Sequence, residues 1–429
     1  MTTSQLHTGS TRTGRDKFLD VVRAGAIIAV VAQHWVMPVL SFSGTTVTTG
    51  NALATPGWWI ITWASQVMPL VFFAGGAANL ISLRRAESTR AWFAGRVRRL
   101  LIPVLPLMAV WLVVPDLLLG MGIPAQPVQV ASSIAAQLLW FLSVYLLTVL
   151  LTPLMVAAHR RWGIAVPVVL AGLGVLVDVA RFSDLGLIGY ANAVIVWVAV
   201  HQLGFHYVEG RLGTLTRRAA LAVSAAGFGV TALLVAFGPY PASMIGMPGA
   251  PVSNMSPPTV LLLFLALGQI GFLLAFRDKL ASPRLDAAIG WLGPRFMSVY
   301  LWHMPALVVV SGVTVLGLRY ATPEPGSSLW FLMVPAWVFA CGVVLLGLLR
   351  LFERFETQPD DLVVTAKTPQ LVIAGLLASG GLLGLAAHGF APLSESLLHG
   401  PVPWVALTAA GFVLAGRQAP RLTPAPVKG

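Results

Sequence analysis

A bilayer's hydrocarbon core is about 30 Å thick, and a helix rising 1.5 Å per residue crosses it in about 20 apolar residues. This chain supplies such a run about twelve times, at 18–38, 57–83, 100–122, 134–157, 164–180, 187–207, 219–238, 258–276, 296–317, 329–350, 369–388 and 402–416. No soluble core needs that many unbroken apolar runs. The composition agrees, since 57% of the 429 residues are hydrophobic, only 10% are charged, and the mean hydropathy is +0.83. The expected fold class is therefore all-α, a polytopic transmembrane helix bundle of about 10–12 spans.

The formal charge of +12 does not point to nucleic acid, because the basic residues are dispersed in short patches between the apolar runs. They stand at Arg12/Arg15/Lys17, Arg84 to Arg99, Arg160-Arg161, Arg211/Arg217/Arg218, Arg277/Lys279/Arg284/Arg295, Arg350/Arg354/Lys367 and Arg417/Arg421/Lys428. The alternate connections 41–56, 115–133, 239–257 and 389–402 hold none, and Arg181 and Arg319 are lone exceptions. By the positive-inside rule this alternation puts both termini in the cytoplasm of a multi-pass protein of the cell (plasma) membrane. Residues 1–16 read as an N-terminal tail without a cleavable signal peptide, 17–416 as one membrane domain, and 417–429 as a C-terminal tail. The single cysteine, Cys341, excludes an intramolecular disulfide and reads as a buried filler.

The first span, 18–38, carries Asp20, Arg23 and His34. Eleven steps of 100° are about three turns, so Arg23 and His34 share one stripe, about 16 Å apart along the axis, with Asp20 one turn below Arg23. Ionisable groups inside a span face a protein interior or a watery cavity and act there on a substrate or an ion. A bland alternative exists for these residues: an Asp/Arg pair anchored at the interface and a core histidine bonded to a carbonyl.

Leu19-Asp20-x-x-Arg23, followed after ten residues by His34, resembles the first transmembrane helix of the acyltransferase-3 family of integral-membrane O-acyltransferases. Further segments follow in the family's order and extend the resemblance over about 15–350. Met68-Pro69 to Gly75-Gly76 is similar to a Pro, aromatic, Ser-Gly segment, with Gly75 at the serine position. Arg96-Val-Arg98-Arg99 before Leu-Leu-Ile-Pro103 resembles an Arg-x-x-Arg element at the cytoplasmic mouth; guanidinium forks suit phosphates, so Arg96 and Arg99 are the expected dock for an acyl-CoA, acetyl-CoA or similar. Leu139-Trp140-Phe141-Leu142 is similar to a Trp-Phe-Leu segment, and Ser298-Val-Tyr300-Leu-Trp302-His303-Met-Pro305 to a Ser-x-Tyr-Leu-x-His-x-Pro segment. Trp140 and Tyr300 are the expected substrate contacts.

What the resemblance implies is an acyltransferase for groups other than aminoacyl, moving an acyl group from a thioester to an alcohol. A hydroxyl needs a base near neutral pH, and direct transfer with His34 as that base is the first choice, an acyl-imidazole intermediate the second. Arg23 would hold the oxyanion or orient the carbonyl, Asp20 would neutralise Arg23, and His303 would share the site. The chain has no Gly-x-Ser-x-Gly elbow and no reactive-cysteine context. The acceptor class is an envelope glycan, a glycolipid or a glycosylated metabolite; no metal and no nucleic acid are expected. The competing reading is a twelve-span secondary transporter, against which stand the missing repeat between halves and the lack of mid-span carboxylates.

Three features carry weaker readings. His201 and His206, on different faces of one span, read as interfacial or structural. The uncharged, Pro- and Gly-rich 239–257 reads as an outer lid, a binding loop or a plain connector, similar to actinobacterial members of the family. Glu353, Glu356, Asp360 and Asp361 read as a solvated acidic linker.

Overall fold

The computed structural model describes residues 16–183, 185–280, 282–356, 362–364, 366–394, 400–416 and 418–420. Among them, ten helices are long and apolar enough to cross a membrane, and two shorter apolar helices, Leu261–Ala275 and Val402–Leu414, stand where the eighth and twelfth runs were expected. The all-α, multi-pass architecture is thus as the apolar runs imply. The first span is Lys17–Val36, the second Met68–Arg85, the fourth Leu139–Trp162 and the sixth Asn192–Val208. The ninth, Phe296–Ser311, continues through a wider helical turn at Gly312–Gly317. The third is broken at Ile102-Pro103 into Thr89–Leu101 and Val104–Gly120, because proline cannot donate the amide that would continue the ladder.

The second span is central and packs against the first, fourth, sixth and eighth. Its glycines explain how. A Cβ on Gly76 would stand 2.0 Å from the His201 carbonyl oxygen, and one on Gly204 would stand 2.3 Å from that of Phe73. Two backbones meet here with nothing between them, which is the small-residue packing expected where lipid supplies no hydrophobic drive. By contrast the fifth, seventh and tenth spans are only 22%, 22% and 17% buried along their most apolar stretch, against 72% for the second. Their bare valines and leucines, such as Val168 and Leu332, are the bundle's lipid-facing surface.

Connections at the charge-poor end are built rather than loose. Strands β1 (Pro38–Phe42) and β2 (Val47–Asn51) form an antiparallel hairpin over the end of the first span. Gln126 grips both backbone polar groups of Val47, at 2.8 and 3.1 Å, and Leu40 exchanges hydrogen bonds with Thr322. This hairpin is not legible in the sequence, since Thr-rich 41–56 shows no alternating apolar pattern. The 239–257 segment lacks regular helix, as its prolines require, and it is fastened to the bundle: Trp63 donates to the Ala242 carbonyl, Gln66 to that of Met244, and buried Asn254 to those of Pro241 and Ser243. The two exceptional arginines are also explained. Arg181 donates to the Pro257 and Ser253 carbonyls, and Arg319 lies over the Phe42 ring.

Candidate functional site

The first span starts at Asp16, whose carboxylate accepts from the Leu19 amide and so caps a donor the helix leaves open. Its inward stripe of Phe18, Leu19, Val22, Ala26, Ile27 and Val30 is buried. The polar stripe meets the ninth span. His34 Nδ1 and His303 Nε2 are 2.9 Å apart with their rings within 6° of parallel.

The partners of His303 assign the protons. Its Nδ1 faces two carbonyl oxygens, Tyr300 at 2.7 Å and Val299 at 3.2 Å. Carbonyls only accept, so Nδ1 carries the hydrogen and, in the neutral ring, Nε2 carries the lone pair. That lone pair requires His34 Nδ1 to donate. Neutral His34 is then left with an unprotonated Nε2, which has no hydrogen-bond partner among the described residues. Indole groups hold the arrangement: Trp35 donates to the His303 carbonyl at 2.9 Å, and Trp337 to that of Trp35 at 2.8 Å.

Toward the basic end, Arg23 lies 5.2 Å above the Phe296 ring. Arg23–Phe296 and His34–His303 are both contacts between the first and ninth spans, so the two helices run in the same sense. Arg23 and His34 thus stand at two levels of the same helix pair, as their eleven-residue interval implies. The charge of Arg23 and that of Arg99 both reach the Arg96 guanidinium. Arg96 donates to Ser82 Oγ at 2.5 Å and to the Ala78 carbonyl at 3.3 Å, and Trp92 donates to the same hydroxyl. Arg99, three residues on, is exposed, and Asp20 is half-buried.

A file of aromatic rings joins the two ends. The His303 ring is 6.1 Å from that of Tyr300, Tyr300 is 5.3 Å from Phe141, and Phe141 is 5.6 Å from Tyr145, which lies within electrostatic reach of Arg96. Trp140 packs edge-on against Phe141. Tyr300 is buried, and its hydroxyl donates to the Leu138 carbonyl at 2.8 Å. Gly75 is what gives Tyr145 its place, since a Cβ there would stand 2.7 Å from the tyrosine ring. Tyr145 was not singled out in the sequence, although it shares a helix face with Phe141 at the i, i+4 interval.

Other sequence expectations fare differently. Of the two readings for His201 and His206, the structural one fits, since both are fully or almost fully buried; His201 bonds Asn79 at 3.1 Å and His206 packs on the His159 ring. Glu353 and Glu356 are not a solvated linker. Glu353 pairs with Arg295 at 2.5 Å, and Glu356 accepts from the Met297 and Ser298 amides and the Ser298 hydroxyl, capping the ninth span. Burial pushes the Glu356 carboxyl above its ordinary range, against those hydrogen bonds. Asp360 and Asp361 lie outside the described residues.

Compared with known proteins, the chain matches the family model for the acyltransferase-3 type of acyltransferase domain over residues 16–353. No curated protein and no solved structure matches it.

Proposed function

The chain belongs to the acyltransferase-3 family and is a membrane acyltransferase, and from that premise we propose that it moves an acyl group from a cytoplasmic acyl-CoA to a hydroxyl of a cell-envelope glycan, a glycolipid or a glycosylated metabolite. Membership removes the transporter reading. In this account the protein lies in the plasma membrane with its basic end and both termini in the cytoplasm, where the donor is made.

The observation that carries the proposal is the His34–His303 pair. His34 Nε2 takes the acceptor's hydroxyl proton as that oxygen attacks the thioester carbonyl. The imidazolium so formed keeps donating from Nδ1 to His303, which steadies the charge as a triad's third member does. When the carbon–sulfur bond breaks, the same proton passes from Nε2 to the departing thiolate, so the ester and free coenzyme A leave a regenerated base. His303 is a positioning residue, acting through His34.

Arg96 and Arg99 hold the donor's phosphates, and Arg23, grouped with Arg96, guides the pantetheine arm rather than the oxyanion. Asp20, one turn below, tempers that cluster. Tyr300 and Trp140 belong to the aromatic file along which the acyl chain and arm lie. The extended arm suits the roughly 16 Å of helix between Arg23 and His34. The test is reconstitution in vesicles with isotope-labelled acetyl-CoA and an envelope glycan extract, followed by mass spectrometry. A labelled ester formed only with the protein supports the proposal; thioester consumption without an ester on any hydroxyl acceptor contradicts it.

A further inference from the structure

At the basic end, away from Arg96, a cleft of about 900 Å³ including its open mouth is lined by His159, Arg160, Arg161, Trp162, Ile164 and Arg211, with Gly163 and Glu209. It lies where the fourth span turns into the fifth, beside the end of the sixth. Gly163, at φ +54°, makes the turn, and the Arg211 guanidinium lies over it, with Nη2 3.6 Å from where a Cβ would stand. Glu209 is the only carboxylate of the lining, and it is already spent. It pairs with Arg84 and with His159 Nε2, the latter at 2.8 Å. Burial pushes its carboxyl up, but those two partners outweigh burial and hold it below its ordinary range, as an anion. His159 uses its other nitrogen on Gln202 at 3.1 Å. Arg160, Arg161 and Arg211 have no ion-pair partner among the described residues.

Three guanidinium groups without an ion-pair partner among the described residues, one of them, Arg161, lying over the Trp162 ring at 5.5 Å, call for an anion with several acceptor oxygens. The rim says which. Trp162 and Ile164 are 60% and 54% exposed, and the fifth span continues from them as bare Val168 and Val169. Tryptophan beside arginine at the turn into a lipid-facing helix marks headgroup depth, with acyl chains beyond. A soluble phosphate would gain nothing from that apolar ledge. We propose that this cleft is a binding site for the headgroup phosphate of an anionic phospholipid, with its glycerol and acyl chains laid against Trp162, Ile164 and the fifth span.

The site has a route to the donor side. Arg84, which holds Glu209, stands two residues beyond Ser82, the acceptor for Arg96. A lipid bound in the cleft would thus lie beside a Glu209 that Arg84 and His159 already hold at the end of the second span.

The experiment is native mass spectrometry of protein released from nanodiscs of phosphatidylcholine with phosphatidylglycerol, a readout that does not depend on acyl transfer. Wild-type protein should retain phosphatidylglycerol, and Arg160→Gln/Arg161→Gln/Arg211→Gln should bind it about 100-fold more weakly, at roughly a factor of five per guanidinium near the surface. The triple lysine variant, which keeps the charge, should recover most of the retention. Arg218→Gln/Arg350→Gln, exposed arginines outside the cleft, should retain lipid as wild type does. Equal retention by the glutamine triple and this control would overturn the proposal. So would displacement of the lipid by micromolar adenosine 3′,5′-bisphosphate, which would give the cleft to a nucleotide phosphate instead.

Discussion

Because Tyr300 and Val299 both accept from Nδ1 of His303, the lone pair that orients His34 exists only while a group at residue 303 can accept a hydrogen bond. His303→Leu removes that acceptor and leaves the His34 ring free to rotate and exchange tautomers. Orienting hydrogen bonds of this kind are worth about 10- to 100-fold in activity, and a loss of that size is expected in kcat with KM nearly unchanged. His303→Gln, whose carbonyl oxygen can take the His34 proton, should recover part of the loss. Equal activities of the two variants would show that the imidazole at 303 does something other than accept. Gly76 is the second residue whose neighbours dictate an outcome. A methyl there would stand 2.0 Å from the His201 carbonyl oxygen, so Gly76→Ala must push the second and sixth spans apart. Overpacking of this kind costs about 1–3 kcal/mol, and a lowered thermal midpoint in detergent is the check. Little in the sequence around Gly76 identifies its partner, because the contact is backbone to backbone across 125 residues. What was legible was the type of contact, from two adjacent glycines.

At the scale of elements, the helix Thr89–Leu101 brings Arg96 and Arg99 to one face, and the second span receives Arg96 through Ser82. If these arginines hold phosphates far from the reacting carbonyl, Arg96→Gln/Arg99→Gln should raise the KM for acyl-CoA much more than it lowers kcat. The difference is largest at low salt, where charge attraction is least screened; an unchanged donor KM would leave the pair as topogenic charge. The spans themselves were legible because a bilayer imposes one length and one polarity on each, and even the short twelfth run is a helix. The hairpin at Pro38–Asn51 and the cap that Glu356 places on the ninth span were not. Each depends on partners distant in sequence, Gln126 and Thr322 for the hairpin and Met297 and Ser298 for the cap, and their local composition resembles any polar connector.

For the whole molecule, the first and ninth spans run side by side with arginine at one level and a histidine pair at another, and the aromatic file from Tyr300 through Phe141 to Tyr145 bridges the two levels. A donor entering at the basic end and an acceptor reaching His34 from the other would meet inside the bundle, shielded from water. The sequence disclosed the stripe on the first span and the isolated His303, since charged or imidazole groups stand out in apolar runs. It did not disclose that the two rings bond directly, nor that Arg23 lies over the Phe296 ring, because both contacts depend on how the first and ninth spans pack. The most direct test is turnover of purified, reconstituted His34→Ala, compared with wild type by coenzyme A release and by ester formed. Removal of a general base costs about 10²–10⁴-fold, so kcat should fall by that range in a variant that elutes and melts like the parent. Turnover within a few-fold of wild type would contradict it.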